Sequence, residues 1–264
     1  PDAFPFEMAL VRLNLAEGKT EDAAAQLKAM IAAYGDAGNG DTARVRLAAV
    51  ELSRNDSQAA VGLIDAVLKH DARNAEALAL RAQLKLAEDR YDAAIQDIRL
   101  AIAEDPKNWR YLMLEAKAQE LNGSQSIAGE RLGTAVQVSN YEPVAVLAYS
   151  QHLRATGKGD FAEGLLESAL RRKQSDPSLL KELAQLKLAR QDWIGAEDVA
   201  KQLRDVQGGG QVADLISAQS LAGQDQKAKS IEVLENLYQE GGGSGSSMAA
   251  LVSHVATGRA TSNA

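Results

Sequence analysis

The sequence predicts an all-α fold built as a solenoid, in which similar helical units are stacked along the chain. The first observation is a period: at a shift of 34 residues, five consecutive blocks of the chain align without a gap. The second is a set of small residues at two fixed places of each block, as expected where helices touch. Repeat proteins with such a period bury the apolar face of each unit only against its neighbours. The blocks begin at Asp41, Ala75, Trp109, Pro143 and Pro177.

The small residues occur at the eighth and twentieth places of the blocks. Their recurrence indicates two helix contacts per block that leave no room for a larger side chain. The eighth place holds Ala48, Ala82, Ala116, Ser150, Ala184 and Ala218, and the twentieth holds Ala60, Ala94, Ala128, Ala162 and Ala196.

Within a block, the pattern indicates two helices joined by a short turn. Apolar residues recur near helical spacing over Leu78–Leu86 and again over Ile95–Ile102. Pro106 should end the second of these helices, because its ring blocks helical geometry at the preceding residue and removes a backbone donor. At a later boundary, Asp176 can cap a helix whose first turn holds Pro177. Each block is therefore expected to form an antiparallel helical hairpin.

These features resemble the tetratricopeptide repeat. The block length, the two small places and an aromatic residue three places before the second small one match that family, most clearly at Tyr91 and Trp193. The match extends over roughly residues 4 to 240, although the aromatic is missing at Ser57 and Gln125. The resemblance implies a right-handed superhelical solenoid of about seven antiparallel helix-turn-helix units. The turns inside the pairs are expected at Gly123-Ser124, Gly157-Lys158 and Gln191-Asp192.

The register also predicts the unit boundaries. The first unit is stretched by Gly38-Asn39-Gly40, and the last is irregular around Ala228. The expected units are 4–40, 41–74, 75–108, 109–142, 143–176, 177–210 and 211–240, followed by a Gly/Ser linker at 241–247 and a tail at 248–264.

Composition excludes several functional classes. A net charge of −7 and a pI near 5.1 disfavour a nucleic-acid partner, whose phosphates favour a basic face. The absence of cysteine excludes a disulfide scaffold, and no apolar run approaches a membrane span. Because the chain begins at Pro1 without a methionine, we expect it to be a piece of a longer protein. The segment 63–78, LIDAVLKHDARNAEAL, is similar to the Ala- and Arg-rich repeats of bacterial envelope and exopolysaccharide systems. This resemblance favours a periplasmic or envelope location over the cytoplasm.

The resemblance also implies a binding site, because first helices of successive units in this family line a concave groove. The fifth, ninth and twelfth places of each block commonly face that groove. Here the fifth and twelfth places are mainly apolar, and the ninth is polar and rich in glutamine, which can both donate and accept hydrogen bonds. Such a groove suits an apolar peptide, helical or extended. The expected groove residues are Met8, Arg12, Leu15, Val45, Leu52, Ala79, Gln83, Leu86, Met113, Lys117, Leu147, Gln151, Arg154, Gln185 and Leu188.

No catalytic or metal-binding pattern is expected. The sequence has three histidines, His70, His152 and His254, with no paired spacing, and we interpret them as solvated helix residues. Carboxylates such as Glu163 and Glu167 lie four residues apart, which is typical of a solvated helix face. We therefore expect no enzyme activity and no cofactor.

The tail is interpreted as a peptide tethered to the array. Residues 241–247 contain only glycine and serine, as in an engineered flexible linker. The following segment would carry one apolar stripe if helical, and tethering would bring it to the groove at a high effective concentration. Alternatively, the tail is a native capping helix or a cloning remnant. The stripe consists of Met248, Leu251, Val252 and Val255.

Three functional hypotheses follow from the sequence. The first is a protein-interaction scaffold that binds a short apolar peptide segment of a partner, for which the tail stands in, in cis or in trans. The second is a bacterial envelope assembly or polysaccharide-export scaffold that acts by self-association or complex assembly. The third is the regulatory arm of an enzyme whose catalytic domain is absent.

Overall fold

The computed structural model describes residues 3–173 and 175–240, and it confirms the all-α fold. Fourteen α-helices and no strand lie in these ranges. Consecutive helices contact each other in pairs joined by short turns, so the solenoid of helical hairpins that the sequence predicts is present. The tail and linker, including the stripe from Met248 to Val255, lie outside the described residues.

The helices form two compact groups, which we call the N-terminal half, ending at Ser139, and the C-terminal half, beginning at Asn140. The N-terminal half contains α1 (Phe4–Ala16), α2 (Thr20–Tyr34), α3 (Asn39–Ser53), α4 (Ser57–His70), α5 (Ala75–Ala87), α6 (Tyr91–Glu104), α7 (Trp109–Leu121) and α8 (Gln125–Val138). The C-terminal half contains α9 (Pro143–Ala155), α10 (Gly159–Arg172), α11 (Pro177–Ala189), α12 (Trp193–Arg204), α13 (Gly210–Gly223) and α14 (Lys227–Glu240).

The small residues that define the repeat lie where the sequence predicts contact. All six at the eighth place and all five at the twentieth are buried, as are Ala101, Ala135 and Ala169 seven places later. In α3 and α4, for example, Ala48 and Ala60 belong to one apolar cluster with Ile64 and Val67. A methyl group is the largest side chain that lets two helices approach this closely, so these alanines fix the packing of each pair.

Each pair turns through a left-handed residue at its fifteenth place. Gly123 and Gly157 have φ values of 80° and 74°, and Gln191 adopts the same conformation at 60° although it has a side chain. The next residue closes the turn, because its N–H donates to a carbonyl oxygen five residues earlier, at 2.7 Å for Lys158 to Leu153. This bond satisfies a carbonyl that the helix end would otherwise leave unpaired.

Helix boundaries follow the predicted stop and start signals. α6 ends at Glu104, two residues before Pro106, and α11 begins at Pro177. The side chain of Asp176 caps α11 by accepting hydrogen bonds from the N–H groups of Ser178 and Leu179, at 3.0 and 3.1 Å. These bonds satisfy orphan donors of the first turn.

The stretched connection between α2 and α3 depends on a close glycine contact. A Cβ atom at Gly40 would lie 1.9 Å from the carbonyl oxygen of Gly35, so no larger residue fits there. α3 begins at Asn39, within the Gly38-Asn39-Gly40 insertion.

Candidate functional site

The candidate site is the exposed side of the first helices of the pairs, which we call the first-helix face. In the N-terminal half α5 contacts both α3 and α7, and in the C-terminal half α11 contacts both α9 and α13. First helices therefore lie side by side within each half. Equivalent places on neighbouring helices form rows across them, as the repeat predicts.

The ninth place forms the exposed row of this face. Apart from Ala49 its side chains are polar, and those of the four glutamines make no hydrogen bond within residues 3–173 and 175–240. Glutamine can donate and accept at once, so these amides are available to the backbone of a bound peptide. The exposed members of the row are Arg12, Gln83, Lys117, Gln151, Gln185 and Gln219.

Four of the expected groove residues in the N-terminal half are buried. Met8, Ala79 and Leu86 are buried, and Val45 is only 2% exposed inside the cluster of Ala48 and Ile64. Met8, Val45 and Ala79 occupy the fifth place, which α1, α3 and α5 bury, and Leu86 occupies the twelfth place of α5, which is buried as well. These four side chains contribute mainly to the core. Of the others in this half, Leu15 is exposed and Leu52 and Met113 are half-buried.

In the C-terminal half, none of the expected groove residues is buried. Leu147 on α9 and Leu188 on α11 are half-buried, and Val144, one turn before Leu147, is 57% exposed. Gln151 and Gln185 occupy the ninth place, which lies between the fifth place of Leu147 and the twelfth place of Leu188. Arg154 is partly committed within the chain, because its Nη1 lies 2.7 Å from Oε1 of Glu182. The groove residues as a set remain a prediction.

Sequence reasoning missed the buried ion networks of the N-terminal half. Asp97 is only 5% exposed as a side chain, and its two oxygens accept hydrogen bonds from Nε and Nη2 of Arg81, both at 2.8 Å. Nζ of Lys85 lies 2.6 Å from the same carboxylate. Burial opposes ionisation, but the bonds from Arg81 and Lys85 outweigh it and lower the pKa of Asp97.

A second buried carboxylate follows one repeat later. Glu115 is buried on α7, with its oxygens 3.3 Å from Nε of Arg99 and 2.8 Å from Nε of Arg131. The signal for both networks was in the sequence, because Asp97 and Arg131 replace the leucine that other blocks carry at the same place, for example Leu63. Charges at a core place predict a paired network, since an unpaired buried charge is strongly unfavourable.

Two expectations about solvated side chains were wrong. His152 is buried, because it occupies the tenth place, where Leu84, Ala118 and Leu186 are also buried. Glu163 is half-buried and paired, with Oε1 2.7 Å from Nζ of Lys187 and Oε2 bonded to Nη1 of Arg190. Periodicity across the repeats would have predicted the burial of His152. The pairing of Glu163 depends on contacts between α10 and α11, which the sequence pattern does not show.

Within residues 3–173 and 175–240, no group of three or more His, Cys, Asp or Glu could hold a metal ion. None of the described helices is long and apolar enough to cross a membrane.

Comparison with solved structures identifies the fold as that of tetratricopeptide-repeat proteins. PilF of Pseudomonas aeruginosa is 21% identical with a TM-score of 0.61, over 82% of this chain and 97% of PilF. PilW, a widely conserved type IV pilus biogenesis factor, is 19% identical with a TM-score of 0.62, over 83% of this chain and all of PilW. A tetratricopeptide repeat protein from Parabacteroides merdae is 14% identical with a TM-score of 0.58, over 97% of this chain and all of that protein. The sequence matches no family model and no curated protein.

Proposed function

We propose that this protein is an interaction scaffold that binds a short apolar peptide segment of a partner on the first-helix face of its C-terminal half. The observation that carries the proposal is the row Gln151, Gln185 and Gln219, which is exposed and without hydrogen-bond partners in the described chain. Apolar residues flank this row. Because the three glutamine side chains are exposed, they contribute little to packing within this half.

The chemistry of the face defines the kind of ligand. Val144, Leu147 and Leu188 offer apolar area, and burying one leucine or valine of a ligand there contributes about 1.5–3 kcal/mol. The glutamine amides would bond the peptide backbone or polar side chains. A helix with one apolar stripe, or an extended segment with alternating apolar residues, satisfies both requirements.

The tail of this chain has the right chemistry for such a ligand. Met248, Leu251, Val252 and Val255 recur at helical spacing behind a flexible Gly/Ser segment, so the tail stands in for the partner segment, in cis or in trans. Similarity in fold to PilF and PilW supports a bacterial protein that serves complex assembly in the periplasm or cell envelope. We propose a protein or peptide partner and no cofactor.

Calorimetric titration tests the proposal in the full chain. The receptor carries Leu251→Asp and Val255→Asp, so that its own tail cannot compete, and the ligand is a synthetic peptide of residues 248–264. We expect saturable binding with a negative heat-capacity change, because apolar surface is buried. Adding Leu147→Glu should weaken binding by about tenfold or more, since it removes apolar contact and places a charge in it.

A matched control separates binding from folding. Leu100 on α6 is an accessible leucine that lies on a second helix, away from the first-helix face. Leu100→Glu should leave both the affinity and the helical circular dichroism unchanged. Equal loss of affinity in Leu147→Glu and Leu100→Glu, or no binding at all, would contradict the proposal.

Self-association is a second candidate, and α1 favours it. Phe6, Leu10 and Leu13 form an apolar stripe on this helix, with Phe6 77% exposed. These are the third, seventh and tenth places of the first unit. In the block that begins at Asp41, the same places hold Ala43, Leu47 and Val50, which pack against α2. Sedimentation equilibrium should then show concentration-dependent association that Leu10→Glu abolishes, whereas a monomer at all concentrations would contradict this candidate.

A further inference from the structure

The last helix of the described chain, α14, has one side without a following helix. The second helices α2, α4, α6, α10 and α12 each contact their own first helix and also the first helix of the next pair. α14 packs on α13, and no helix follows it within residues 3–173 and 175–240. The twenty-first and twenty-eighth places of its unit hold Ile231 and Tyr238, which are half-buried. We call the side with these two residues the outer side of α14.

Two earlier junctions show what these places contact. Glu163, at the twenty-first place, has Oε1 2.7 Å from Nζ of Lys187, at the eleventh place of the next unit. Arg204, at the twenty-eighth place, has Nη2 2.6 Å from Oδ1 of Asp214, at the fourth place of the next unit. A second helix therefore meets the fourth and eleventh places of the first helix that follows it.

The tail continues the 34-residue register without a gap. An eighth block begins at Gly245, and its fourth and eleventh places hold Met248 and Val255. Leu251 is at the seventh place, where Leu47 packs against α2 in the second unit. The apolar stripe of the tail thus falls on places that contact a preceding second helix.

Two further features of the tail match the connections and turns of the array. The run Gly241-Gly242-Gly243 lies 33 residues after Gly208-Gly209-Gly210, which leads into α13. The turn after α9 reads Ala155-Thr156-Gly157-Lys158, and the tail contains Ala256-Thr257-Gly258-Arg259. Val252 is larger than the alanine or serine of most eighth places, but the first unit also has a valine there, and it is buried.

We infer that residues 245–257 form the first helix of an eighth unit, which packs on the outer side of α14. This packing places Val255 against Ile231, and Met248 and Leu251 against Tyr238. Apolar contacts thus replace the ion pairs of the two earlier junctions, and they remove apolar area from water on both helices. The short Gly/Ser segment holds the tail beside α14 at a high effective concentration.

The inference also concerns the binding face, although it does not depend on the proposed function. The fifth and ninth places of the eighth unit hold Ala249 and Ser253, so a first helix here extends the first-helix face with small side chains. A tail that packs on α14 turns its apolar stripe away from that face. In the intact chain the partner segment then comes from a separate polypeptide, whereas the free 248–264 peptide keeps the stripe accessible.

Amide hydrogen exchange of the full chain tests the inference. Leu251→Asp with Val255→Asp removes the apolar partners of α14, so the α14 amides should exchange about tenfold faster or more than in the wild type. The matched control is Ala249→Asp with Ser253→Asp, which adds the same charges at the same spacing on the side away from α14. This control should leave α14 exchange unchanged. Unchanged exchange in the first variant, or equal acceleration in both, would overturn the inference.

A change on α14 tests the same contact from the other side. Tyr238→Ala should accelerate exchange of the amides of residues 248–255 by about tenfold, because their packing surface is lost. Unchanged exchange of these amides would overturn the inference.

The added 248–264 peptide keeps this inference apart from the proposed function. In the chain carrying Leu251→Asp and Val255→Asp, the peptide should slow exchange in α14 if the inference holds, and in α9 and α11 if the proposed function holds. Protection of α9 and α11 without α14 would overturn only the inference. Protection of α14 alone would support it and contradict the proposed binding face.

Discussion

The two halves of the molecule use the same helix pair for different ends. In the N-terminal half, the fifth-place residues Met8, Val45 and Ala79 are buried, and the charges of Asp97 and Glu115 are paired inside. In the C-terminal half, the fifth-place Leu147 is half-buried, as Met113 is at the end of the N-terminal half, and Glu163 pairs in a half-buried position. The repeat thus determines which helices are in contact. Whether the polar and apolar side chains of a pair serve core packing or an accessible surface differs from one pair to the next.

The largest expected effect concerns these charges. Asp97→Asn should lower the free energy of unfolding by about 3–5 kcal/mol, because it leaves Arg81 and Lys85 facing a neutral group in a buried site. Glu163→Gln should lower it by only about 1 kcal/mol, since the Glu163 side chain is 22% exposed and its partner Arg190 more so. Urea denaturation of both variants checks the difference. Equal losses of unfolding free energy in the two variants would contradict the larger contribution that we assign to the buried Asp97 network.

The pH dependence of stability tests the Asp97 network further. The pKa of Asp97 is lowered in the folded state, so its contribution is complete above the unfolded value of about 3.9 and is lost as the pH falls through the folded value. The stability difference between the wild type and Asp97→Asn should therefore be constant from about pH 5 to 7 and shrink below about pH 4. A difference that persists undiminished at pH 2 would contradict this account of the network.

The eighth place gives a smaller effect with opposite signs in the two halves. Ala116→Leu overfills a buried helix contact and should lower stability by about 1–3 kcal/mol. At the same place in the C-terminal half, the hydroxyl of Ser150 is buried without a hydrogen-bond partner in the described residues. Ser150→Ala should therefore raise stability by about 1 kcal/mol. Thermal melting of the two variants measures both changes in stability. An unchanged melting temperature for Ala116→Leu would mean that the repeat register is wrong.

The smallest effect lies in the turns. Gly157 and Gln191 share the left-handed conformation at the fifteenth place, but only glycine adopts it without steric cost. Gly157→Ala should lower stability by about 1 kcal/mol, and Gln191→Gly should raise it by about 0.5 kcal/mol. A chemical denaturation series that gave both changes the same sign would contradict the conformations assigned to these turns.

Local signals explain why the fold could be predicted. The alanines at the eighth and twentieth places, Pro106 and the Asp176-Pro177 pair each act through sterics or a nearby hydrogen bond, so they are readable from the sequence. Val45 was expected at the groove but is buried, because accessibility depends on how closely its neighbours approach. The pairing of Asp97 depends on two cations 12 and 16 residues away, which periodicity alone does not align.

Amide hydrogen exchange with and without the 248–264 peptide tests the central claim most directly. The protein is the full chain carrying Leu251→Asp and Val255→Asp, with the peptide at saturation. We predict added protection in α9 and α11, whose first-helix face is open, and none in α3 and α5. Protection confined to α3 and α5, or absent throughout, would contradict the assignment of the binding surface to the C-terminal half.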